Sequence, residues 1–566
     1  MKSLLRLEHV TYTYPRRNKP SLEDINLEVQ AGELLLLAGE TGCGKSTLLQ
    51  VLNGLVPQES GGRLQGKVFL DGQEVSECSV GERSQLVGMV FQSPDDQLIS
   101  SSVQEEAAFF LENLGVGFEA AALSASKALL QVGLEGLEKR SVHALSGGQK
   151  QRLAVASVLA AQPRILALDE PISQLDPQGA TELLEVLQAL LRRRNTAMVL
   201  VEHRLHEALP LCTHIAMMQE GRIVWQGTRE EALLQAERFD RYGLRLPQTV
   251  DVCRSLDVPA VLEVEEAVRC IQEAYPMKVG GETLPQPASS AIEPLPAVEA
   301  KVLSYHYSRR QNLVLQDLNL QINKGEFVAL MGCNGAGKST LLHLIAGLQA
   351  PSEGEILVQR KAPRVGEGIV GMVLQNPDFM LLEETVRAEV GGASGKLSPW
   401  QQRLLERLGL TGMEEEFPLA LSKGQRLRVA LAAVLGREPA VLLLDEPTTG
   451  QDIVHIRDIV SLLQEYAAGG GTVILCTHDT EAAACFAQRV VVLNEGKVFL
   501  DGTPAAVFSQ PLIASAGLRA PAALLLAQEL YGGKHVTVEE VVAHVRQSNM
   551  GSDARANAAA PTRCQS

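Results

Sequence analysis

Apolar residues in this chain are concentrated in short, nearly continuous runs that alternate with longer stretches of helical periodicity. Clear examples of the short runs lie at residues 164–168, 197–201, 441–444 and 472–476. A run of this length is typical of a central strand that is buried on both faces of a mostly parallel sheet. The alternation of such strands with helices therefore predicts an α/β fold.

One set of landmarks occurs twice in the same order, which predicts two similar halves. The sequence Gly-x-x-x-x-Gly-Lys-Ser begins at Gly39 and again at Gly332. The copies are offset by 293 positions at the lysines of this motif and by 275 positions at a histidine near the end of each half. Most of this difference arises in the middle segment, which is therefore shorter in the second copy.

The repeat extends beyond these landmarks, because Gly-Leu-Arg-x-Pro occurs at Gly243 and at Gly517. Each half is therefore expected to carry a helical tail. A segment rich in Pro, Glu, Ser and Gly between the halves is typical of an exposed linker, and the small polar residues at the end of the chain are typical of disorder. The expected organisation is a first domain (1–240) with its tail (241–278), a linker (279–300), a second domain (301–510) with its tail (511–547), and a disordered C-terminus (548–566).

The Gly-x-x-x-x-Gly-Lys-Ser motifs each follow an apolar run and precede a helical pattern, which is the context of a phosphate-binding loop. Glycines allow backbone N–H groups to face phosphates at a helix N-terminus, where the helix dipole favours negative charge. Lys45 and Lys338 are expected to reach the β- and γ-phosphates, and Ser46 and Ser339 to ligate Mg²⁺. The residues expected to contact ATP are Gly39, Glu40, Thr41, Gly42, Cys43, Gly44, Lys45, Ser46 and Thr47 in the first copy, and Gly332, Cys333, Asn334, Gly335, Ala336, Gly337, Lys338, Ser339 and Thr340 in the second.

Paired carboxylates end one apolar run in each half, at Asp169-Glu170 and at Asp445-Glu446. This places them at the carboxyl edge of a parallel sheet, where ligands bind in open α/β folds. An aspartate there can hold Mg²⁺, and a glutamate can orient or deprotonate an attacking water. A lone pair of acids at a strand end often only faces water, but recurrence after both phosphate loops favours the catalytic interpretation.

A third motif identifies the family. Leu-Ser-Gly-Gly-Gln at 145–149 and Leu-Ser-Lys-Gly-Gln at 421–425 each open a helical pattern, and each serine lies 24 residues before the glutamate of its half. A serine at a helix start is by itself an ordinary N-cap. Following a phosphate loop and preceding the acidic pair, it makes the chain resemble ATP-binding cassette (ABC) ATPases, in duplicate and across essentially its whole length.

The resemblance implies two P-loop ABC nucleotide-binding domains in one chain, each with a helical subdomain and a C-terminal helical tail. In this family two cassettes pair head to tail, so that each ATP lies between the phosphate loop of one cassette and the serine motif of the other. The serine-motif residues implied are Ser146, Gly147, Gly148, Gln149, Ser422, Gly424 and Gln425. The implied catalytic residues are Glu170, His203, Glu446 and His478, where each histidine contacts the γ-phosphate.

The resemblance also assigns the remaining site residues. Tyr14 and Tyr307 are expected to stack on adenine, with packing in the core as the alternative. Lys423 replaces a glycine of the serine motif, which predicts two unequal sites, and both sites keep the residues needed for hydrolysis. The implied Mg²⁺ ligands are Ser46, Gln92 and Asp169 in the first cassette and Ser339, Gln375 and Asp445 in the second. The implied D-loop aspartates are Asp176 and Asp452.

Composition argues against several other classes of protein. There are 51 Lys and Arg against 67 Asp and Glu, a net charge of −16, whereas proteins that bind nucleic acid usually present a basic face. The nine cysteines include no Cys-x-x-Cys pair, which argues against zinc and iron–sulfur sites and for reduced thiols. No apolar stretch approaches the length of a membrane span, and the N-terminus lacks a signal-peptide pattern. We therefore expect a chain that meets a membrane only through partners.

The segment after Gln92 indicates which group of ABC ATPases the chain resembles. Gln-x-Pro-Asp-x-Gln at 92–97, followed by the helical pattern at 103–109, is similar to energy-coupling factor (ECF) and cobalt-type importer ATPases. A fused pair resembles the ATPase of hydroxymethylpyrimidine (HMP)/thiamine ECF systems. The resemblance implies one fused chain per complex at the cytoplasmic face of the cell membrane, as a peripheral subunit, with an integral membrane T-component (permease) and a small substrate-binding membrane subunit as partners, and no nucleic acid.

Three alternatives share the tandem architecture. A sugar-importer ATPase is disfavoured only by the Gln-x-Pro-Asp motif and the tails. A translation-associated ATPase normally needs basic surfaces for RNA, and the segment between the halves is not basic. An excision-repair ATPase needs zinc-binding Cys-x-x-Cys pairs, which the sequence lacks.

Overall fold

The structure is a computed structural model that describes residues 3–558, with gaps at 174, 194, 277–294, 309–312, 393–394 and 448–452. Internal contacts divide the chain into two compact units, Met1–Pro247 and Gln248–Ser566. In the described part of the chain, no helix has both the length and the apolar character required to cross a membrane.

The first unit alternates strands and helices along the chain. Its strands are β1 (Ser3–Thr13), β2 (Leu22–Gln30), β3 (Leu34–Gly39), β4 (Arg63–Leu70), β5 (Gln73–Glu74), β6 (Val87–Val90), β7 (Ile165–Asp169), β8 (Ala197–Val201), β9 (His214–Gln219) and β10 (Arg222–Thr228). Its helices are α1 (Lys45–Asn53), α2 (Leu55–Gln58), α3 (Val80–Ser84), α4 (Val103–Asn113), α5 (Phe118–Gln131), α6 (Gly147–Ala160), α7 (Pro177–Arg192), α8 (Leu205–Ala208), α9 (Arg229–Leu234) and α10 (Glu237–Arg241).

A six-stranded sheet with the order β10-β9-β3-β8-β7-β6 organises the first unit. Its strands pair in parallel except for β10, which is antiparallel to β9 at the edge. Strands β3, β7 and β8 are buried at every position, as their continuous apolar runs predict. A second, antiparallel sheet with the order β2-β1-β4-β5 shares a hydrophobic core with α1.

The second unit begins with two helices, α11 (Gln248–Ser255) and α12 (Val264–Ala274). Its strands are β11 (Pro296–Tyr305), β12 (Leu315–Asn323), β13 (Phe327–Met331), β14 (Glu353–Val358), β15 (Val370–Val373), β16 (Val441–Asp445), β17 (Thr472–Cys476), β18 (Arg489–Asn494) and β19 (Lys497–Gly502). Its further helices are α13 (Lys338–Ile345), α14 (Val386–Gly391), α15 (Pro399–Arg407), α16 (Lys423–Leu435), α17 (Ile453–Ala468), α18 (Thr480–Phe486), α19 (Pro504–Phe508), α20 (Ala522–Tyr531) and α21 (Val538–Ala558).

The main sheet of the second unit repeats the topology of the first. Its order is β15-β16-β17-β13-β18-β19, parallel except for the antiparallel edge strand β19. An antiparallel sheet with the order β12-β11-β14 accompanies it. The predicted α/β class, with two similar halves in one chain, is confirmed.

The tail helices α11, α12, α20 and α21 form one apolar core within the second unit. The side-chain amide oxygen of Gln248 accepts a hydrogen bond of 2.9 Å from the backbone N–H of Ala523, and so joins α11 to α20. From residue 248 onward, the tail that the sequence assigned to the first domain therefore packs in the core of the second unit. The buried residues of this core are Val252, Cys253, Leu256, Ala267, Ile271, Ala523, Leu526, Ala527, Leu530, Tyr531, Val541, Val542 and Val545.

Two further boundaries differ from the expected organisation. Strand β11 begins at Pro296, inside the segment expected to be a linker (279–300), of which residues 279–294 lie outside the described residues. Helix α21 continues past residue 548, where disorder was expected to begin, to Ala558.

Candidate functional site

The phosphate loop of the first cassette connects β3 to α1, as its sequence context predicts. Gly44 is the N-cap of α1 and has φ of 110°, a left-handed conformation that favours glycine. A β-carbon on Gly39 would lie 2.3 Å from the backbone oxygen of Met218, so this position has no room for a side chain. The loop therefore depends on glycine at two points for its path from strand to helix.

Lys45 lies inside this loop. Its ammonium donates hydrogen bonds to the carbonyl oxygens of Gly39 at 2.7 Å and of Glu40 at 2.8 Å. The side chain is buried, so its charge is held by loop carbonyl groups close to where phosphate oxygens are expected. A lysine in this position can exchange these carbonyl bonds for bonds to phosphate.

Asp169 ends β7 beneath the loop. Burial is the largest influence on its carboxyl group and raises its pKa to about 6, against the opposing effect of a hydrogen bond from Ser46. Within the described residues, its Oδ1 atom is buried and has no hydrogen-bond partner. A hydroxyl and a buried carboxylate oxygen are the hard donors that Mg²⁺ prefers, so Ser46 and Asp169 fit the predicted ion.

Glu170 follows Asp169 with φ of 49°, an unusual conformation for a residue other than glycine. Its Oε2 accepts a hydrogen bond of 2.7 Å from Nε2 of Gln92, and its Oε1 lies 3.2 Å from Nε2 of His203. Burial opposes ionisation of this carboxyl group, but His203, Lys45 and Gln92 together hold its pKa below the ordinary value. Glu170 is therefore an ionised, oriented carboxylate, as a general base requires.

The second cassette repeats the loop between β13 and α13. Gly337, with φ of 100°, is the N-cap of α13. Buried Lys338 donates to the carbonyl oxygens of Gly332 at 2.7 Å and of Cys333 at 3.0 Å, as Lys45 does in its own loop. The two loops are therefore built alike.

The acidic pair of the second cassette, Asp445-Glu446, differs in its contacts from Asp169-Glu170 of the first. Burial is the largest influence on Asp445 and raises its pKa, while hydrogen bonds from Ser339 and from the Cys476 thiol oppose the shift. Glu446 has φ of 51°, and its Oε2 lies 2.9 Å from Nδ1 of His478. Asp445 and Ser339 offer the same hard oxygens for Mg²⁺ as Asp169 and Ser46 do.

Gln92 and Gln375 are placed differently. Gln92 is half-buried and bonded to Glu170, whereas Gln375 is exposed. Among the described residues, no hydrogen bond joins Gln375 to Glu446. The structure thus brings the predicted glutamine to the acidic pair in the first cassette only.

The serine motifs form helix starts in both cassettes. Ser146 caps α6 and Ser422 caps α16, and in each helix the glutamine three residues later returns a bond to the serine backbone, which completes a capping box. Both serines are exposed, and the N-terminus of each helix favours an anion. The contact of each serine motif with the phosphate loop of the other cassette stays a prediction.

Tyr14 and Tyr307 lie beside their phosphate loops. The hydroxyl of Tyr14 is 3.2 Å from Oγ1 of Thr47, and that of Tyr307 is 3.0 Å from Oγ1 of Thr340. Both rings are therefore placed at the start of the helix that follows the loop, and stacking on adenine stays a prediction.

Asp176 caps α7 by accepting the N–H of Gly179 at 2.8 Å, while Asp452 lies outside the described residues.

Sequence reasoning missed three residues near the acidic pairs. Glu202 and Arg204 flank His203 and bond to the segment that follows Glu170. The thiol of Cys476 donates a hydrogen bond to Asp445, with which Cys476 pairs in the second sheet. At the same position of the first sheet, Val201 pairs with Asp169. A comparison of Glu-His-Arg at 202–204 with Thr-His-Asp at 477–479 would have drawn attention to Glu202 and Arg204.

The sequence matches known proteins along both halves. A family model described as ABC transporter matches residues 22–173 and 315–449. The chain belongs to the ABC transporter family. Both halves are ABC transporter ATP-binding domains, a class of domain with ATPase activity, and the resemblance to tandem ABC ATPases is confirmed.

Curated relatives match this ABC protein over most of their length. A putative ABC transporter ATP-binding protein of Methanosarcina mazei is 39% identical over 522 residues, which are 88% of this chain and 89% of the relative. The putative HMP/thiamine import ATP-binding protein YkoD of Bacillus subtilis is 34% identical over 518 residues, 90% of this chain and 93% of the relative. The solved structure of cbiO1 from Clostridium perfringens, described as part of the ABC transporter complex cbiONQ, is 30% identical, with a TM-score of 0.39, and covers 45% of this chain and 100% of its own.

Proposed function

We propose that this protein is the ATP-hydrolysing energy-coupling subunit of an ECF-type importer. The observation that carries ATP hydrolysis is the recurrence, in both cassettes, of a histidine within 3.2 Å of the glutamate that follows the buried aspartate. This arrangement supports activation of a water molecule beside the phosphate loop. Both sites are proposed to hydrolyse ATP.

In the proposed reaction, Lys45 and Lys338 bind the β- and γ-phosphates and neutralise charge that develops in the transition state. Glu170 and Glu446 orient the attacking water and accept its proton at a carboxylate oxygen. His203 and His478 hold these carboxylates and contact the γ-phosphate. Mg²⁺, held by Ser46 and Asp169 and by their counterparts Ser339 and Asp445, would supply charge neutralisation at the phosphates.

Each ATP is proposed to complete its site with the serine motif of the other cassette. Ser146 and Ser422 stand at helix N-termini, where backbone N–H groups and the dipole favour a phosphate group. Lys423, at the first position of α16, adds a positive charge where the first cassette has Gly147. Closure of the two cassettes around ATP is the step that we propose drives transport.

The segments that follow the two glutamines are the proposed attachment points for membrane partners. Ile99 is 68% exposed, and Phe379 and Leu382 are 76% and 84% exposed, although all three are large and apolar. Phe379 and Leu382 lie three residues apart, and exposed apolar side chains grouped in this way are typical of a binding surface. We propose that they receive cytoplasmic helices of a membrane T-component.

Ion pairs tie each of these segments to the helix of the serine motif. Asp95 lies 2.6 Å from Nζ of Lys150 in α6, and Asp378 lies 3.1 Å from Nε of Arg426 in α16. The acid belongs to the Gln-x-Pro-Asp motif in both cassettes, and the base directly follows the serine motif. These pairs offer a physical route by which cassette closure moves the membrane partner.

The cargo is proposed from the relatives. YkoD carries a name that assigns it to HMP/thiamine import, so we propose a vitamin, a vitamin precursor or a metal ion, with HMP and thiamine as the first compounds to assay. The chain would act at the cytoplasmic face of the cell membrane as a peripheral subunit. A T-component and a small substrate-binding membrane subunit are the proposed partners.

The test is co-purification from membranes with multi-span proteins encoded next to this gene. We expect the wild-type chain to capture a T-component, the double variant F379D/L382D to lose it, and both to retain basal ATP hydrolysis. Leu234, which is 82% exposed on α9, supplies the control L234D, which should behave as wild type.

Other outcomes separate the alternatives. A chain recovered only without membrane proteins would contradict the importer and favour a soluble ATPase of translation or repair. Capture of a permease together with ATP-dependent uptake of a sugar, and not of HMP, thiamine or a metal ion, into reconstituted vesicles would favour a sugar importer.

A further inference from the structure

The strand end that carries His203 holds the backbone that follows Glu170. Glu202 is 2% exposed, and its Oε1 accepts a hydrogen bond of 3.0 Å from the backbone N–H of Ile172. Its Oε2 accepts the backbone N–H of His203 at 3.3 Å. One buried carboxyl group thus joins the backbone of the histidine to the segment that begins at Glu170.

Arg204, which follows His203 in the sequence, also binds the segment after Glu170. Its Nη1 donates to the carbonyl oxygens of Ile172 and Leu175, both at 3.0 Å. Its Nη2 donates to Oε1 of Glu207 at 2.5 Å, which fixes the guanidinium. Glu202 and Arg204 therefore both contact the segment between the candidate general base and the helix α7, and His203 between them contacts the base itself.

Strand register identifies the counterparts in the second cassette. Val201, which precedes residues 202–204, pairs with Asp169 in the first sheet. Cys476, which precedes residues 477–479, pairs with Asp445 in the second sheet. Residues 477–479 therefore occupy the positions of residues 202–204.

The counterparts are different side chains, Thr477 and Asp479. Oγ1 of Thr477 accepts the backbone N–H of Asp479 at 3.1 Å, and the carboxylate of Asp479 accepts the backbone N–H of Ala482 at 2.9 Å at the start of α18. A carboxylate has no hydrogen to donate to a carbonyl group, so Asp479 cannot make the bonds that Arg204 makes. Only the first cassette has side chains of this chemistry on both sides of its histidine.

We propose that Glu202 and Arg204, which we call the switch clamp, are positioning residues of the first ATP site. They hold the segment after Glu170 so that its carboxylate and His203 keep the separation needed for hydrolysis. The second cassette has Thr477 and Asp479 at these positions, so the two sites differ in the side chains that flank their histidine. This inference rests on the proposed ATP hydrolysis.

The ionisation of Glu202 is consistent with this role. Burial is the largest influence and raises its pKa to about 8, and the charge of Glu170 adds to the shift. Glu202 is therefore mainly neutral at pH 7. It accepts two backbone hydrogen bonds without placing a second full negative charge beside Glu170.

The test exchanges the clamp for the residues of the second cassette, in the double variant E202T/R204D. A misplaced glutamate slows chemistry without weakening the contacts of the phosphate loop, so we expect kcat to fall about tenfold and the KM for ATP to stay unchanged. E202Q, which keeps a hydrogen-bond acceptor and is neutral, should retain the wild-type kcat. R204K, which keeps the charge but loses the fork geometry, should give an intermediate kcat and keeps the test open if the double variant fails to fold.

The same exchange in a chain that carries E170Q supplies the second readout. A clamp that acts through Glu170 should cause no further loss of turnover there. An unchanged kcat in E202T/R204D, a rise in KM that accounts for the loss, or an equal additional loss in the E170Q chain would overturn the proposal. A wild-type chain without ATP hydrolysis would instead contradict the proposed function on which the clamp rests.

Discussion

Nε2 of Gln92 donates a 2.7 Å hydrogen bond to Oε2 of Glu170. The carboxylate of Glu170 is thereby held from two sides, since His203 contacts its other oxygen. In the second cassette Gln375 is exposed and, within the described residues, makes no hydrogen bond to Glu446.

This difference predicts unequal effects of matched substitutions. Q92A removes a hydrogen bond to a charged group and releases Glu170, so we expect a loss of about tenfold in kcat. Q375A removes no such bond and should cost less. Steady-state ATPase assays of the two variants check this, and an equal or larger loss in Q375A would contradict it.

Separate removal of the two candidate bases tests whether both sites hydrolyse ATP. E170Q and E446Q each keep the shape of the side chain but cannot accept a proton, so each should lower turnover, and the double variant should abolish it. Nucleotide binding, measured by fluorescence titration, should persist in all three variants. A variant with wild-type turnover would show that its site does not contribute to catalysis.

The buried carboxyl group of Glu202 predicts a pH dependence of stability. Its pKa is raised from 4.5 to about 8, so the folded protein binds one proton more than the unfolded chain between these values, and the free energy of unfolding falls as pH rises through this window. The contribution reaches about 1.4 kcal/mol per pH unit. E202Q removes it, so E202Q should gain stability relative to wild type between pH 5 and pH 8.

Urea unfolding midpoints of wild type and E202Q at pH 5, 6, 7 and 8 measure this effect. Parallel curves for the two proteins across this range would show that Glu202 ionises in the folded protein as it does in the unfolded chain.

The two phosphate-loop cysteines should differ in reactivity. Cys43 is buried, and burial raises the pKa of its thiol, so little reactive thiolate forms. Cys333 is partly exposed. We expect maleimide to modify Cys333 faster than Cys43, to block ATP binding as it does so, and to be excluded by Mg-ATP.

Mass spectrometry of peptides that contain each cysteine follows the labelling, with C333A as the control. Labelled Cys333 in a chain that binds ATP with unchanged affinity would contradict the assignment of the loop.

Local signals predicted most of the candidate site. Loop glycines, the lysine and the acidic pair are each specified by a short motif, and the motif order carries the family resemblance. Ser146 and Ser422 lie at the helix starts that the sequence predicted, and the glutamine three residues later completes a capping box in each. Residues of this kind can be read from sequence because their neighbours along the chain determine their conformation.

Contacts between distant segments could not be predicted in this way. The hydrogen bond that the backbone N–H of Ile172 donates to Glu202 joins residues that follow two different strands and are 30 positions apart, and its importance depends on burial that no motif encodes. The exposure of Gln375, in contrast to Gln92, depends on the path of its loop. The packing of α11 against α20 likewise joins residues that are 275 positions apart.

The shared core of the tail helices makes the peptide connection between the halves partly redundant. Ile271 precedes that connection and Leu530 follows the second cassette, yet both are buried in the same core. A chain cut between residues 277 and 294 would leave two fragments with complementary apolar surfaces at their ends. Such fragments should reassociate without a covalent bond, so one fused gene and two separate genes can encode the same assembly.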